Sequence, residues 1–202
     1  MPPPIPTPAI PSGALFSATA STTIDASPLT IYNAHVDPST WPEWNSFVPS
    51  LSIRSQPPDV SPTSPHLHLG TSMLFTVQMS SSFKTESVEE ISILSDPPKD
   101  DDPVGTKYVV GWKQTMMPAL VLRTERVNEI TKLEGGRSEY KTWMAFAGPA
   151  AYAVRWSQEG NLQGRFEDWV VDLKGWCERK EKGGEEGKAQ GDGEGRMEGE
   201  GK

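Results

Sequence analysis

The feature that most constrains the fold is an apolar stripe near the C-terminus. Leu162, Phe166, Trp169, Val170, Leu173, Trp176 and Cys177 recur at helical spacing, while Arg165, Glu167, Asp168, Asp172 and Lys174 fall mostly elsewhere. The stripe reads as an amphipathic helix of about five turns, and so aromatic a face must be covered by something. Gly175 inside it costs ~1 kcal/mol against Ala, which predicts a close backbone approach to a neighbour.

What precedes the stripe is mostly β-structure. Residues 16–24, FSATASTTI, are β-branched and small, with Phe16, Ala18, Ala20, Thr22 and Ile24 on one face. Ser27 then offers an N-cap and Pro28 a first helical residue, predicting a short helix to about Val36 that Asp37-Pro38 stops. Ser39 or Thr40 caps a second short helix carrying Trp41, Trp44 and Phe47. Strands are predicted over 51–54, 73–79, 85–94, 107–116, 119–131 and 138–146, with a Pro-rich loop over 56–71 and a Gly135-Gly136 turn. Short links between successive strands suggest an antiparallel meander. The fold class is α+β: a curved antiparallel sheet wrapped around a long C-terminal helix, with two short helices after the first strand. One helix does not fill the concave space of such a sheet, and that gap is the seed of a ligand cavity.

The ends differ from the middle. Only 35% of the chain is apolar, and the deficit lies in residues 1–13, MPPPIPTPAIPSG, and 181–202. Proline's fixed φ and missing N–H predict a solvated, disordered arm at the first. The Gly/Glu/Lys tail has almost nothing to bury and is predicted to be disordered. The folded part is therefore 14–180. A net charge of −8 repels phosphate backbones and argues against nucleic acid. One cysteine excludes an internal disulfide. No apolar run is long enough to span a membrane, and no secretory start is visible, so a cytoplasmic protein is expected.

The stretch Ile24-Asp-Ala-Ser-Pro-Leu-Thr-Ile-Tyr32, followed by Asp37 and Trp41-Pro-Glu-Trp-Asn45, resembles the opening of the START-like (Bet v 1-like, SRPBCC) superfamily. Tyr140 to Pro149 resembles its last strand and Gly exit into the final helix. Gly111-Trp112-Lys113 and Arg126-Val127 resemble the polyketide cyclase/dehydrase branch. The resemblance covers nearly all of 14–180. It implies a helix-grip fold enclosing a small hydrophobic ligand, with ring closure of a polyketide-type substrate in secondary metabolism as one function. Carriage of a lipid, sterol or aromatic metabolite without turnover is the other. It implies no cofactor. In many relatives a His and an acidic residue alternate into the cavity on the last strand. Thr142 and Met144 occupy those places here.

That geometry places the ligand against Trp44, Phe47, Phe75, Trp112, Tyr140, Thr142, Met144, Phe146, Phe166, Trp169 and Val170. For Tyr140, Thr142, Met144 and Phe146 the other reading is ordinary packing against the last helix; for Trp44 it is a plug at the sheet end. Arg123 shares a strand face with Glu125. It either holds a ligand oxygen from inside the cavity or belongs to a solvated outer face. In one register Glu89 is a lone carboxylate in an apolar wall, with a raised pKa suited to acid–base work. In the other, Val88 points inward and Glu89 sits in water. Tyr140, Thr142 and Arg123 are the groups suited to polarising carbonyls. His66 and His68 are spaced to touch one metal, but nothing completes a site, so no metal is expected.

Overall fold

The computed structural model describes residues 3–80 and 82–194, with side chains to residue 183. Seven strands form one sheet in the order β1-β7-β6-β5-β4-β3-β2, every neighbouring pair antiparallel. β1 is Phe16–Ile24, β2 Ser50–Ser55, β3 Ser72–Ser80, β4 Phe83–Leu94, β5 Lys107–Gln114, β6 Arg123–Lys132 and β7 Ser138–Ala147. The first and second strands form opposite edges. The chain crosses between them through α1 (Pro28–Val36), a 3₁₀ turn (Pro38–Thr40) and α2 (Trp41–Trp44). Ser27 caps α1 as expected, its hydroxyl accepting from the Thr30 N–H at 3.2 Å.

Register shifts at Ile53/Ser55, Gln78/Ser80 and Ile91/Ile93 bend the far half of the sheet. Into the resulting trough lies α3, Ala151–Glu194. It starts well before the apolar stripe, directly after Gly148-Pro149. Gly148 has φ +95°, and a Cβ there would meet the Val121 carbonyl oxygen at 2.7 Å, so the sharp exit from β7 requires glycine. The Gly175 expectation is not met: a Cβ there would touch only the mobile end of Arg179, at 3.3 Å. The α3 backbone is helical to Glu194, whereas the sequence reading expects disorder from residue 181; residues 195–202 of that tail lie outside the described residues.

The sixth strand starts later than predicted. Residues 115–122, TMMPALVL, are apolar enough to extend a strand pattern, but Pro118 breaks the ladder and they form the β5–β6 loop. The proline-rich arm also departs from expectation. Described from residue 3, it lies against the outer face of the sheet instead of in solvent. Ile10 is fully buried against Ala145 and Ala147. The Ala9 N–H donates to Glu125 Oε2 at 2.6 Å, and Trp143 Nε1–H donates to the Pro6 carbonyl at 3.0 Å. Proline here lowers the cost of ordering, because its φ is already restricted in the unfolded chain. One isoleucine and a few side-chain partners then suffice to hold the segment. Replacing Ile10 by Ala should therefore lower unfolding stability by about 2 kcal/mol, read by urea denaturation. A change indistinguishable from zero would show that the arm is not held.

Candidate functional site

The concave space is divided in two by aromatic packing. Trp169 on α3 meets Trp41 at 5.4 Å and Trp44 at 4.9 Å between ring centroids, both edge-on, and Trp112 of β5 at 6.1 Å. Phe75 of β3 closes the group, 5.3 Å from Trp41. Beneath lies a buried polar network. Trp169 Nε1–H donates to the Tyr140 hydroxyl at 2.8 Å, and Tyr140 donates to Asn128 Oδ1 at 2.7 Å. His35 Nε2 lies 3.1 Å from the same hydroxyl, and its Nδ1 lies 2.8 Å from the Ile31 carbonyl. Burial pulls the His35 pKa down to about 4 and pushes that of Tyr140 up to about 12, so both are neutral at ordinary pH. This half of the trough is solid.

The other half holds a cavity of about 360 Å³, small for a ligand site. Phe47, Phe75, Trp112, Met144 and Phe146 form apolar walls, with Met79 and Leu122 beyond them. Val154, Gln158 and Leu162 of α3 close the top. Phe83, Thr85, Glu86, Met116 and Met117 border it and are exposed, so it opens between the β3–β4 hairpin and the β5–β6 loop.

Three buried polar side chains enter these walls. Glu89 is 4% exposed: β4 adopts the register that points it inward beside Ile91. Its Oε1 accepts from the Ser87 hydroxyl at 2.5 Å, while Oε2 is buried without a partner. Burial pushes its pKa up to about 7, against the opposing pull of the Ser87 hydrogen bond and the Arg126 charge. Arg126 of β6 lies over aromatic rings, its guanidinium carbon 3.7 Å from the Trp169 centroid and 4.2 Å from that of Phe166. Its Nε–H donates to Thr142 Oγ1 at 3.0 Å, which in turn donates to Asn128 Oδ1 at 2.9 Å. Its Nη2 has no partner, nor has the buried Thr124 hydroxyl beside it on β6. Among the described residues, Glu89 and Arg126 form no direct ion pair.

Phe47, Phe75, Trp112, Met144, Phe146 and Glu89 border the cavity. Trp44, Tyr140, Thr142, Phe166, Trp169 and Val170 do not line it: they are buried in the plug or in packing beneath it. Tyr140 and Thr142 face inward as expected, but their hydroxyls are taken up by the Asn128 network. Arg123 is exposed on the outer side of β6, so it does not point into the cavity. Glu125 on that face is buried under the arm. Arg126 is the cation that enters, and strand alternation already offered the signal: Thr124, Arg126, Asn128 and Ile130 share one face. The mouth also lies away from Trp44. No cluster of His, Cys, Asp or Glu suited to a metal occurs among the described residues. No helix there is long and apolar enough to cross a membrane.

A seven-stranded antiparallel sheet gripping one long helix over an internal cavity is the START-like, Bet v 1-like helix-grip fold, and solved structures agree. The chain is similar to a START superfamily protein from Mycobacterium smegmatis, with TM-score 0.57, 12% identity and coverage of 81% of this chain and 97% of that one. It is also similar to the Zhui aromatase/cyclase from Streptomyces sp. R1128, with TM-score 0.60, 12% identity and coverage of 81% and 94%. By sequence it is 28% identical over 167 residues to oxopyrrolidines biosynthesis cluster protein O of Penicillium oxalicum, spanning 76% of this chain and 83% of that protein. No protein-family model matches the chain.

Two of the buried titratable groups, Glu89 and His35, give stability opposite pH slopes. Folded Glu89 keeps its proton to about pH 7, whereas an unfolded glutamate loses it near 4.5, so its contribution is fully present below 4.5 and lost as pH rises through 7. His35 resists protonation down to about 4 against an ordinary 6.5, so its contribution is lost as pH falls through that window. Glu89→Gln should match the wild type in stability near pH 4.5 and exceed it at pH 8, by on the order of a few kcal/mol, in chemical denaturation followed against pH. Equal pH profiles for the two proteins would mean that Glu89 titrates normally.

Proposed function

We propose that the cavity encloses a small, largely apolar organic molecule and promotes its ring closure with loss of water, as a polyketide cyclase/dehydrase-like protein. The observation that carries this reading is the convergence of three buried polar atoms without protein partners, Glu89 Oε2, Arg126 Nη2 and Thr124 Oγ1, on one otherwise apolar cavity. Buried polar groups are ordinarily paired within the protein. A ligand bearing carbonyl or hydroxyl oxygens would satisfy all three. The description of the Streptomyces neighbour as an aromatase/cyclase, and of the Penicillium relative as a biosynthesis cluster protein, supports the same reading.

The chemistry follows from the two charges. A carboxyl with a pKa of about 7 is present as base and acid in comparable amounts near neutrality. As carboxylate, Glu89 takes a proton from a carbon flanked by carbonyls, and Arg126 and Thr124 donate to the enolate oxygen that forms. That carbon attacks a second carbonyl held nearby, making the ring bond. The protonated Glu89 returns its proton to the alkoxide so formed, giving a ring hydroxyl; Glu89 then takes the second proton from the same carbon and passes it to that hydroxyl, which leaves as water as the ring double bond forms. The confined walls supply the near-attack geometry.

Incubation with a poly-β-ketone thioester or its free acid should shift the distribution of ring products away from the protein-free mixture. Glu89→Gln should lower the rate by roughly 10²-fold or more while still binding the substrate. A product mixture identical to the protein-free control for every substrate tried would sink the ring-closing reading. The second reading, carriage without turnover, is favoured by Met79, Met116, Met117 and Met144 around the cavity, since methionine adapts to varied shapes. It expects a ligand that is bound and recovered unchanged.

A further inference from the structure

We infer that the mouth end of the domain docks on a lipid bilayer surface. Eleven large apolar side chains are exposed among the described residues, and seven of them lie at this one end. The antiparallel topology brings them together, because the β3–β4 hairpin, the β5–β6 loop and the start of α3 all leave the sheet on the same side. Phe83 stands at the hairpin tip. Met116, Met117, Leu120 and Val121 stand on the loop. Leu120 is 90% exposed, and Trp156 on the first turns of α3 is 92% exposed, with Tyr152 one turn before it on the same face.

This exposure is not the fraying of a loose segment. Gln114 clamps the loop, its Nε2 donating to the Leu122 carbonyl at 2.6 Å and to that of Met117 at 3.2 Å, while its Oε1 accepts from the Met117 N–H at 2.9 Å. The Val121 N–H donates to the Pro118 carbonyl at 2.8 Å, closing a turn that holds Leu120 outward. The apolar tips are therefore presented in a fixed arrangement around the opening of an apolar cavity.

Charge separates this end from the rest of the chain. The eight residues 115–122 carry no charge, in a protein of net charge −8. The exposed cations Lys84 and Arg123 flank the hairpin tip and the loop. Exposed Glu86 is nearby; Lys113 is paired with Glu90, and Arg155 with Glu159. Protruding apolar tips between cations suit a deformable apolar layer beneath phosphate headgroups, with Trp and Tyr rings at headgroup level. A rigid protein partner would instead need a matching pocket for each tip. Docked this way, an apolar ligand passes between bilayer and cavity without crossing water.

The test uses the full chain and sedimentation with phosphatidylcholine vesicles, with and without phosphatidylserine. The wild type should sediment with phosphatidylcholine alone and more strongly with phosphatidylserine. Leu120→Glu combined with Trp156→Glu should weaken this by at least about tenfold. Leu69→Glu, an exposed apolar position at the opposite end, should sediment as the wild type does. Neither Leu120 nor Trp156 lines the cavity, so uptake of a soluble apolar fluorophore should be unchanged in the double variant. That readout separates failure of the docking surface from failure of the cavity. Failure of the wild type to sediment with either vesicle, or equal sedimentation of the double variant, overturns the inference. So does binding that needs phosphatidylserine and vanishes in salt, which is adsorption through Lys84 and Arg123. Concentration-dependent self-association abolished by the double variant would also overturn it, by making the rim an interface between copies.

Discussion

The packing of Trp169 in the trough of the sheet is the interaction on which the remainder of the structure depends. One side chain meets Trp41 and Trp44 from the crossing helices and Trp112 from β5, donates its indole N–H to Tyr140, and carries the Arg126 guanidinium on its face. It therefore joins helix, sheet and crossing segment at one point. A smaller residue there would leave a void in the solid half and remove the platform under Arg126. The division of the concave space into a solid half and a hollow half follows from where this indole sits.

Much of this was legible in the sequence for simple geometric reasons. The α3 stripe, the Ser27 cap and the alternation in β3, β4 and β7 all rest on short-range periodicity, and that is where the reading holds. The ambiguous positions depend on partners distant in the chain. Whether Glu89 or Val88 faces inward depends on the pairing of β4 with β3 and β5, which no local pattern fixes. Arg123 takes the outer-face position, one of the two readings open to it, and Arg126 the inner one, a choice that local pattern leaves undecided. On β6 both sides are buried, one by the core and one by the N-terminal arm, so the hydrophobic contrast that identifies an inner face is weak there. The arm itself was misread because composition alone favours solvation. Ile10 lies in a segment otherwise poor in apolar residues, and its burial depends on a shallow seat formed by Ala145 and Ala147 on a strand far away in sequence.

The same long-range dependence explains why Tyr140 and Thr142 were placed in the site. Their inward direction was readable; the capture of both hydroxyls by Asn128 was not. This capture has a consequence for the site. Thr142 accepts from Arg126 Nε and directs its own proton to Asn128. Thr142, a candidate for direct ligand contact, thus acts one step back, holding Nε of a cation that borders the cavity and whose Nη2 has no partner. The buried acid lies on β4 and the buried cation on β6, neither on the last strand.

That arrangement runs against stability, and the direction is informative. A carboxyl held near neutrality and an arginine whose pKa burial lowers to about 10 each cost folding free energy relative to apolar residues of similar size. A direct ion pair would recover part of that cost, yet the two groups are held apart, each oriented by a different neutral partner: Ser87 for the acid, Thr142 and the Trp169 face for the cation. Packing alone gives no reason to keep two charges buried and separated in this way. A molecule whose oxygens span the interval between them does, since it pairs both groups at once and gains from the low dielectric that makes each one costly alone.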